Sequence, residues 1–160
     1  MLFEIIKDAL LAAMAAIGFG SISRLPRRSY VWCGLIAAIG HCARMLLMHT
    51  DVLGLHIVAA TGIAAFLIGT MAVFISPLAK TPAEAYLFPA LLPMIPGMYA
   101  YRSFGGLAMC LFGDTQEKFD VYFYRFAENG FICLAILLAM VIGAVVPIFA
   151  FKSTAFTATR

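Results

Sequence analysis

The sequence is organised around residues 89–102, Pro89-Ala-Leu-Leu-Pro93-Met-Ile-Pro96-Gly97-Met-Tyr99-Ala-Tyr101-Arg102. The stretch is apolar enough for a lipid bilayer, yet three prolines and one glycine fall within nine residues. Proline removes a backbone donor and disfavours a helical conformation in the residue before it. Backbone groups freed inside a membrane must be satisfied by protein or by a water-lined cavity. We therefore predict a broken membrane helix, a feature that often holds the substrate of a transporter; a kinked span or a surface loop are the alternatives.

The length of each half places the break. Thr81-Pro82-Ala83-Glu84 has the form of a capping box, with Thr81 as N-cap. A helix from Pro82 to about Leu92 rises roughly 16 Å, which is about half of a hydrocarbon core near 30 Å. A second helix from Met98 to about Phe112 covers the remaining depth. The sequence thus predicts a break near mid-membrane, within a span over residues 82–112.

Composition decides the class of protein. The 160 residues are 64% hydrophobic and only 12% charged, about half the charge of an ordinary soluble domain. The apolar runs are continuous rather than alternating, which favours helices over a β-barrel. We expect an all-α polytopic protein embedded in the lipid bilayer as one transmembrane domain, residues 1–160. The small net charge of +3 indicates no nucleic-acid partner.

Five spans follow from the apolar runs. Their predicted bounds are 7–22, 29–48, 53–75, 82–112 with its break, and 129–151. Residues 114–128 are the most polar part of the chain, with Phe119, Tyr122, Phe123 and Phe126 at helical spacing. They predict an interfacial amphipathic turn that leads into the last span, and a solvated start of that helix is the alternative. Glu4, Lys7 and Asp8 argue against a cleavable signal peptide at the N-terminus.

The basic residues predict the orientation. Arg24, Arg27 and Arg28 form the strongest cationic cluster, which the positive-inside rule places in the cytoplasm. Five crossings then put the N-terminus outside and the C-terminus inside, with the protein in the cytoplasmic (inner) membrane. Lys80, Lys152 and Arg160 agree, whereas Lys7, Lys118 and Arg125 disagree.

Span 2 carries charge inside an apolar run. His41 and Arg44 are three residues apart and share one helical face with Met48. A charge at a helix centre costs about 2.5–3.5 kcal/mol on insertion scales, so Arg44 either lines a pathway or extends to the interface. His41 alone is more often a hydrogen-bonded packing residue. The histidine spacing around Asp51 is irregular, so we expect no metal site.

The start of the second half-helix is a candidate anion site. Free N–H groups near Gly97 and Met98 carry a partial positive charge that favours a carboxylate. Tyr99 and Tyr101 add hydroxyl donors, and an inward-facing Arg44 adds a bidentate fork. The predicted substrate-binding residues are Arg44, His41, Pro93, Pro96, Gly97, Met98, Tyr99, Tyr101 and Arg102.

A family resemblance covers nearly the whole chain. The residues that carry it are Gly18-Phe19, Pro26-Arg27-Arg28, Trp32-Cys33, Gly40-His41, Arg44-Met45, Met48, Pro93-Met-Ile-Pro96-Gly97 with Tyr101, and Pro147. This pattern resembles the small five-span subunit (YjjB type) of the threonine/serine exporter family. Arg102 departs from that pattern, in which a small or polar residue is common.

The resemblance implies a division of labour. Such subunits are similar to the C-terminal half of fused exporters and work with a larger membrane subunit that carries a soluble domain and five spans of its own. The family is associated with export of threonine and serine, and of dicarboxylates such as succinate in the split form. A higher oligomer is an open alternative.

Two other function classes remain open. A membrane-embedded enzyme is disfavoured because the sequence has no nucleophile elbow, zinc motif or catalytic carboxylate pair. A substrate-capture or accessory subunit of another transport system would depend on a partner ATPase, since no glycine-rich phosphate loop is present. We expect no cofactor. Sensitivity to the proton gradient without added ATP distinguishes an exporter from a capture subunit.

Overall fold

A computed structural model describes residues 2–49, 53–113 and 115–151. Over these residues the chain forms helices and turns, without a strand. The helices are α1 (Leu2–Ile22), α2 (Tyr30–Met48), α3 (Ile57–Ala79), α4 (Ala83–Leu91), α5 (Gly97–Leu111) and α6 (Gln116–Ala150), with 3-10 turns at Arg27–Ser29 and Leu92–Met94. The expected all-α, polytopic architecture is confirmed. Asp51, Asp114, Lys152 and Arg160, which entered the sequence argument, lie outside the described residues.

Four helical segments in the described part of the chain are long and apolar enough to cross a membrane. They are Phe3–Ile22, Arg27–Met48, Ile57–Ala79 and Gln116–Ala150. The predicted fourth span is not among these four segments. It is divided, as predicted, into two shorter helices: α4, of nine residues, and α5, of 15. At 1.5 Å per residue these helices rise about 14 and 22 Å, and neither alone matches a 30 Å core. The helix breaks between Leu91 and Gly97, where the prolines predict it.

Two helix ends lie beyond their predicted positions. Helix α1 begins at Leu2, before the predicted span of residues 7–22, and Lys7 Nζ lies 3.2 Å from Glu4 Oε1 along it. Helix α3 spans Ile57–Ala79 rather than 53–75, so Pro77 lies inside its last turn. A proline so near the end costs few helical bonds, and Lys80, in the left-handed conformation, ends the helix.

The last helix is much longer than its predicted span of 129–151. Helix α6 begins at Gln116 and runs 35 residues, about 52 Å, so residues 116–128 form the start of the last helix, the alternative to an interfacial turn. Ring contacts along the helix join Phe119 to Phe123 and Phe123 to Phe126. Asn129, at the predicted boundary, donates its side-chain amide to the carbonyl of Arg125 and so stays within the helix.

The predicted capping box does not form. Pro82 is the N-cap of α4, and no side chain caps it. The Thr81 hydroxyl instead donates to the carbonyl of Ala79 at 3.1 Å and lies 3.2 Å from Ser29 Oγ. Tyr86 donates its hydroxyl to Ser29 as well, at 3.2 Å. These three buried hydroxyls join the start of α2 to the α3–α4 turn, which explains why Thr81 is not available as a cap.

The chain divides into two compact units. The first contains residues 1–94 and 139–160, and the second contains residues 95–138. In the first unit, close contacts between α1 and α2 depend on Gly34, where an added Cβ would lie 3.0 Å from Ile17 Cδ1. The C-terminal part of α6 packs even closer to α3, since a Cβ on Gly69 would lie 2.5 Å from the carbonyl oxygen of Ala144. Small residues therefore set both helix spacings.

The second unit is a hairpin of α5 and the first two-thirds of α6. Gly106 allows the two backbones to approach, because a Cβ there would lie 2.9 Å from the backbone nitrogen of Phe126. The hydroxyl of Ser103 donates to the carbonyl of Phe126 at 3.0 Å. This close packing fixes which side chains of α5 face α6.

Candidate functional site

Arg44 is held at the end of the first half-helix. It lies half-buried on α2, and its Nη1 donates to the carbonyl oxygen of Met94 at 3.4 Å. Met94 ends the 3-10 turn Leu92–Met94, which also contains the predicted site residue Pro93. Because the helix stops there, its last carbonyls have no helical donor and accept from elsewhere. The guanidinium thus contacts the break that the proline pattern predicts.

His41 lies one turn before Arg44 and is almost completely buried. Only 3% of its surface is exposed, and Nδ1 lies 3.2 Å from Asp8 Oδ2 on α1. Its other ring nitrogen, Nε2, is buried and has no hydrogen-bond partner among residues 2–49, 53–113 and 115–151. His41 is thus a buried residue hydrogen-bonded to an acid on a neighbouring helix, which fits the interpretation of it as a hydrogen-bonded packing residue.

Asp8 is a residue that the sequence analysis missed as part of a site. It served there only as an argument against a signal peptide. A signal was available, since an acid inside an apolar span is by itself evidence for a functional role. Its partner, however, is 33 residues away in sequence, and only the packing of α1 on α2 brings the two together.

A cavity of about 410 Å³ lies between α1 and α2. We call it the Arg44 cavity; its lining residues are Glu4, Lys7, Asp8, Leu11, Arg44, Met45 and Met48. Glu4 and Lys7 pair with each other. The other charged groups on its wall are the carboxylate of Asp8 and the guanidinium of Arg44, so the cavity carries two anionic and two cationic side chains, of which Asp8 and Arg44 form no ion pair with each other.

The start of α5 differs from its predicted form. The N–H of Gly97 was predicted to be a free donor, but it donates to the carbonyl of Ile95 at 2.8 Å. Pro96 is the N-cap of the helix, and its carbonyl accepts from Tyr99 and Ala100. Apart from its chain neighbours and the nearby backbone of its own helix, no described atom lies within 4 Å of a Cβ built on Gly97. The turn satisfies part of its own backbone and leaves open space beside the glycine.

The other predicted residues on α5 separate into two groups. Tyr99 and Arg102 line a cavity of about 700 Å³ within the second unit, whereas Met98 and Tyr101 are 61% and 74% exposed and do not line it. The α6 residues on its wall are Tyr122, Arg125, Glu128, Asn129 and Ile132. None of these α6 residues is among the predicted binding residues, although Arg125 and Asn129 share a face by their four-residue spacing.

The predicted binding residues thus lie in both units. His41, Arg44 and Pro93 belong to the first unit, where Arg44 contacts the turn that contains Pro93. Residues 96–102 belong to the second unit.

Comparison with known proteins places these features in a family. The family model described as "Threonine/Serine exporter, ThrE" matches residues 8–150, an interval that contains Asp8, His41, Arg44 and the proline break. The chain belongs to the threonine/serine exporter family. The family is one of membrane transporters, and the four long apolar helices of the described residues agree with a multi-pass membrane protein.

A curated relative gives the extent of the similarity. A Haemophilus influenzae protein named "Uncharacterized protein" is 31% identical over 140 residues, which cover 87% of this chain and 46% of that protein. The chain therefore spans about half the length of the curated relative it matches. No solved structure matches the chain.

Proposed function

We propose that this chain is a membrane subunit of a secondary exporter of small carboxylates, and that its substrates are small α-amino acids such as threonine and serine. One observation carries the proposal: the Arg44 cavity presents the guanidinium of Arg44 and the carboxylate of Asp8, beside the paired Glu4 and Lys7, to the same space of about 410 Å³. An amino acid carries the complementary pair of charges.

Arg44 is the proposed partner of the substrate carboxylate. Guanidinium presents five N–H donors in a planar fork that matches a carboxylate in a bidentate way. The contact with Met94 uses a donor on Nη1, so donors remain for a substrate. Hydrogen bonds to charged groups contribute about 1.5–3 kcal/mol, enough for at least tenfold in affinity.

Asp8 favours an amino acid over a dicarboxylate. Its side chain is 38% exposed, at the wall of the Arg44 cavity. An α-ammonium group there gains a charge-assisted hydrogen bond, whereas the second carboxylate of succinate meets a like charge. Succinate-like dicarboxylates are the alternative substrates, and the relative affinities for the two classes decide between them.

A larger membrane subunit with a soluble domain and five spans is the proposed partner. The chain spans about half of its curated relative, and secondary transporters are commonly built from two related halves with the substrate site between them. One half then supplies only part of the pathway.

The proposed location is the inner membrane, with the N-terminus outside and the C-terminus in the cytoplasm. The hydrogen bond between Ser29 and Thr81 supports this orientation, because it puts Lys80 at the same end of the first unit as Arg27 and Arg28. Basic residues concentrated at one end indicate the cytoplasmic side.

Loss of the gene tests the function. Cells that lack this subunit and its partner should accumulate internal threonine and serine when fed peptides that contain them, and re-expression of both should restore the wild-type level. Succinate measured in the same extracts reports the alternative substrate. Unchanged internal levels of all three solutes would overturn the proposal, while accumulation of succinate alone would overturn the choice of amino acids.

A further inference from the structure

The cavity of about 700 Å³ in the second unit has no part in the proposed function, although it carries two arginines. Arg102 on α5 and Arg125 on α6 both line it, and Glu128 is the third charged group on its wall. We call it the α5–α6 cavity. Two cations and one anion leave its wall with a net charge of +1, so the cavity favours a ligand with one negative charge.

Both guanidinium groups of the α5–α6 cavity are available to a ligand. Neither has an ion-pair or hydrogen-bond partner in the part of the chain that the structure describes. Arg125 lies over the ring of Tyr122, with its Cζ 5.8 Å from the ring centroid, a contact that leaves its N–H donors unused. The carboxylate of Glu128 accepts from the Tyr124 hydroxyl at 3.5 Å. Two unpaired guanidinium forks on one cavity wall match the oxygens of a phosphate or a carboxylate.

The packing of the hairpin places the two arginines at one level. Ser103, which follows Arg102, donates its hydroxyl at 3.0 Å to the carbonyl of Phe126, which follows Arg125. One turn further along α5, the added Cβ of Gly106 would lie 2.9 Å from the backbone nitrogen of Phe126. Each arginine is therefore next in sequence to a residue of the same interhelical contact, and the cavity can offer both to one ligand.

Helix α6 itself indicates the depth of the cavity in a membrane. Residues 131–150 contain no charged side chain, and these 20 helical residues rise about 30 Å, the thickness of a hydrocarbon core. Asn129 and Arg125 precede this run by about 3 and 9 Å along the helix, which is the depth of the lipid headgroups. Ile132, on the same wall, lies inside the run. The cavity is thus polar at headgroup depth and apolar at one end, which fits an anion that carries acyl chains.

We propose that the α5–α6 cavity binds the headgroup of an anionic phospholipid, with the phosphate held between Arg102 and Arg125. One phosphodiester supplies the single negative charge that balances the wall. The headgroup of phosphatidylglycerol also brings hydroxyl donors. Asn129 Oδ1 can accept from them, since its amide nitrogen already donates to the carbonyl of Arg125 at 2.7 Å. Phosphatidylcholine fits less well, because its quaternary ammonium cannot donate and adds a positive charge beside the arginines. Basic pockets between membrane helices bind anionic headgroups in this way.

Lipid titration of the full chain tests the proposal. The protein, purified and delipidated in detergent, is titrated with phosphatidylglycerol or with phosphatidylcholine, and native mass spectrometry measures the affinity for the first lipid bound. The wild type should bind phosphatidylglycerol at least about tenfold more tightly, because only this lipid leaves the guanidinium charges balanced. Equal affinity for the two lipids would overturn the proposal. The measurement involves no transport, so its outcome leaves the proposed export function untouched.

A matched pair of double variants locates the site. Arg102→Gln with Arg125→Gln changes two exposed side chains, so the melting temperature should stay at the wild-type value. Its affinity for the first phosphatidylglycerol should fall at least about tenfold. Arg28→Gln with Lys118→Gln removes the same two charges from exposed positions outside the cavity and should keep the wild-type affinity. An equal loss in both double variants would mean general attraction of anionic lipid to a basic protein, and would contradict a site between α5 and α6.

Competition distinguishes a lipid from a soluble anion. sn-Glycerol 3-phosphate carries a phosphate without acyl chains, and threonine and succinate carry the carboxylates of the proposed and alternative substrates. None of the three, at millimolar concentration, should displace phosphatidylglycerol from the wild-type protein. Displacement by any of them that is lost in Arg102→Gln with Arg125→Gln would assign the cavity to a soluble ligand and overturn the choice of a phospholipid.

Discussion

At the scale of residues, Arg44 is the most direct target. Arg44→Lys keeps the positive charge but loses the planar fork, so it should reduce export of threonine about tenfold or more at matched protein levels. Arg28→Lys makes the same chemical change at an exposed site on the opposite end of α2 and should export at the wild-type rate. Assays in membranes with equal amounts of each protein compare the two. Equal export by both variants would place the substrate elsewhere.

Gly97 and Arg102 test the second half of the broken span. Gly97 has open space around it, so Gly97→Leu should insert and assemble normally yet reduce export by filling the approach to the break. Arg102→Ala should have a weaker effect, through the local electrostatic field rather than by direct contact. Assembly is measured by recovery with the partner, and export by labelled threonine. Wild-type export by Gly97→Leu would leave the proline segment as a structural break only.

Sequence alone places Arg44 and His41 on one face because their spacing is a local property of a helix. It does not place Asp8 beside His41, since that contact depends on how α1 packs against α2. It also does not show that the N–H of Gly97 bonds to Ile95. Local periodicity was sufficient for single helices, and the site depends on contacts between distant parts of the chain.

At the scale of elements, the packing of α3 against α6 depends on glycine. Gly69→Ala should lower the thermal stability of the protein, because its Cβ would lie 2.5 Å from a backbone oxygen of Ala144 and force the helices apart. Gly18→Ala is the matched control, since no atom lies within 4 Å of its added Cβ. Alanine favours a helix over glycine by about 1 kcal/mol, so the control should be neutral or stabilising. Equal melting temperatures for the two variants, measured in detergent, would contradict this packing.

The orientation of the helices is tested by labelling of single cysteines in a cysteine-free background. Glu84 and Lys7 are exposed and lie toward opposite ends of the first unit. Glu84→Cys should react with an impermeant thiol reagent only from the cytoplasmic side, and Lys7→Cys only from outside. Reaction of Lys7→Cys from the cytoplasm would mean an inverted protein.

The elements differ in how far sequence predicts them. The break before Gly97 is predictable because proline acts locally on the backbone. The length of α6 is only partly predictable, because the polar residues 116–128 fit an interfacial turn as well as the start of the last helix. The structure has the helix, with ring contacts from Phe119 to Phe123 and from Phe123 to Phe126. The cap of α4 fails for a similar reason: the Thr81 hydroxyl bonds to Ala79 and Ser29 instead.

At the scale of the whole molecule, the proposed partner makes a clear prediction. Purification of this chain from native membranes in mild detergent should recover a larger membrane protein in a fixed ratio. The pathway of a secondary exporter usually lies between two related halves, so this chain alone should not transport. Reconstituted vesicles that contain only this chain should show no threonine exchange, and full activity from the chain alone would contradict the two-subunit account.

The central claim is that the carboxylate of Asp8 and the guanidinium of Arg44 together select an amino acid. The most direct measurement is equilibrium binding of labelled threonine and of succinate to the purified complex, for the wild type and for Asp8→Asn. The ratio of the two affinities is taken within each protein, so it does not depend on the yield of folded material. The account predicts that the wild type prefers threonine and that Asp8→Asn shifts the ratio at least about tenfold toward succinate, because it removes the ammonium partner and the like charge together. An unchanged ratio in Asp8→Asn would contradict it.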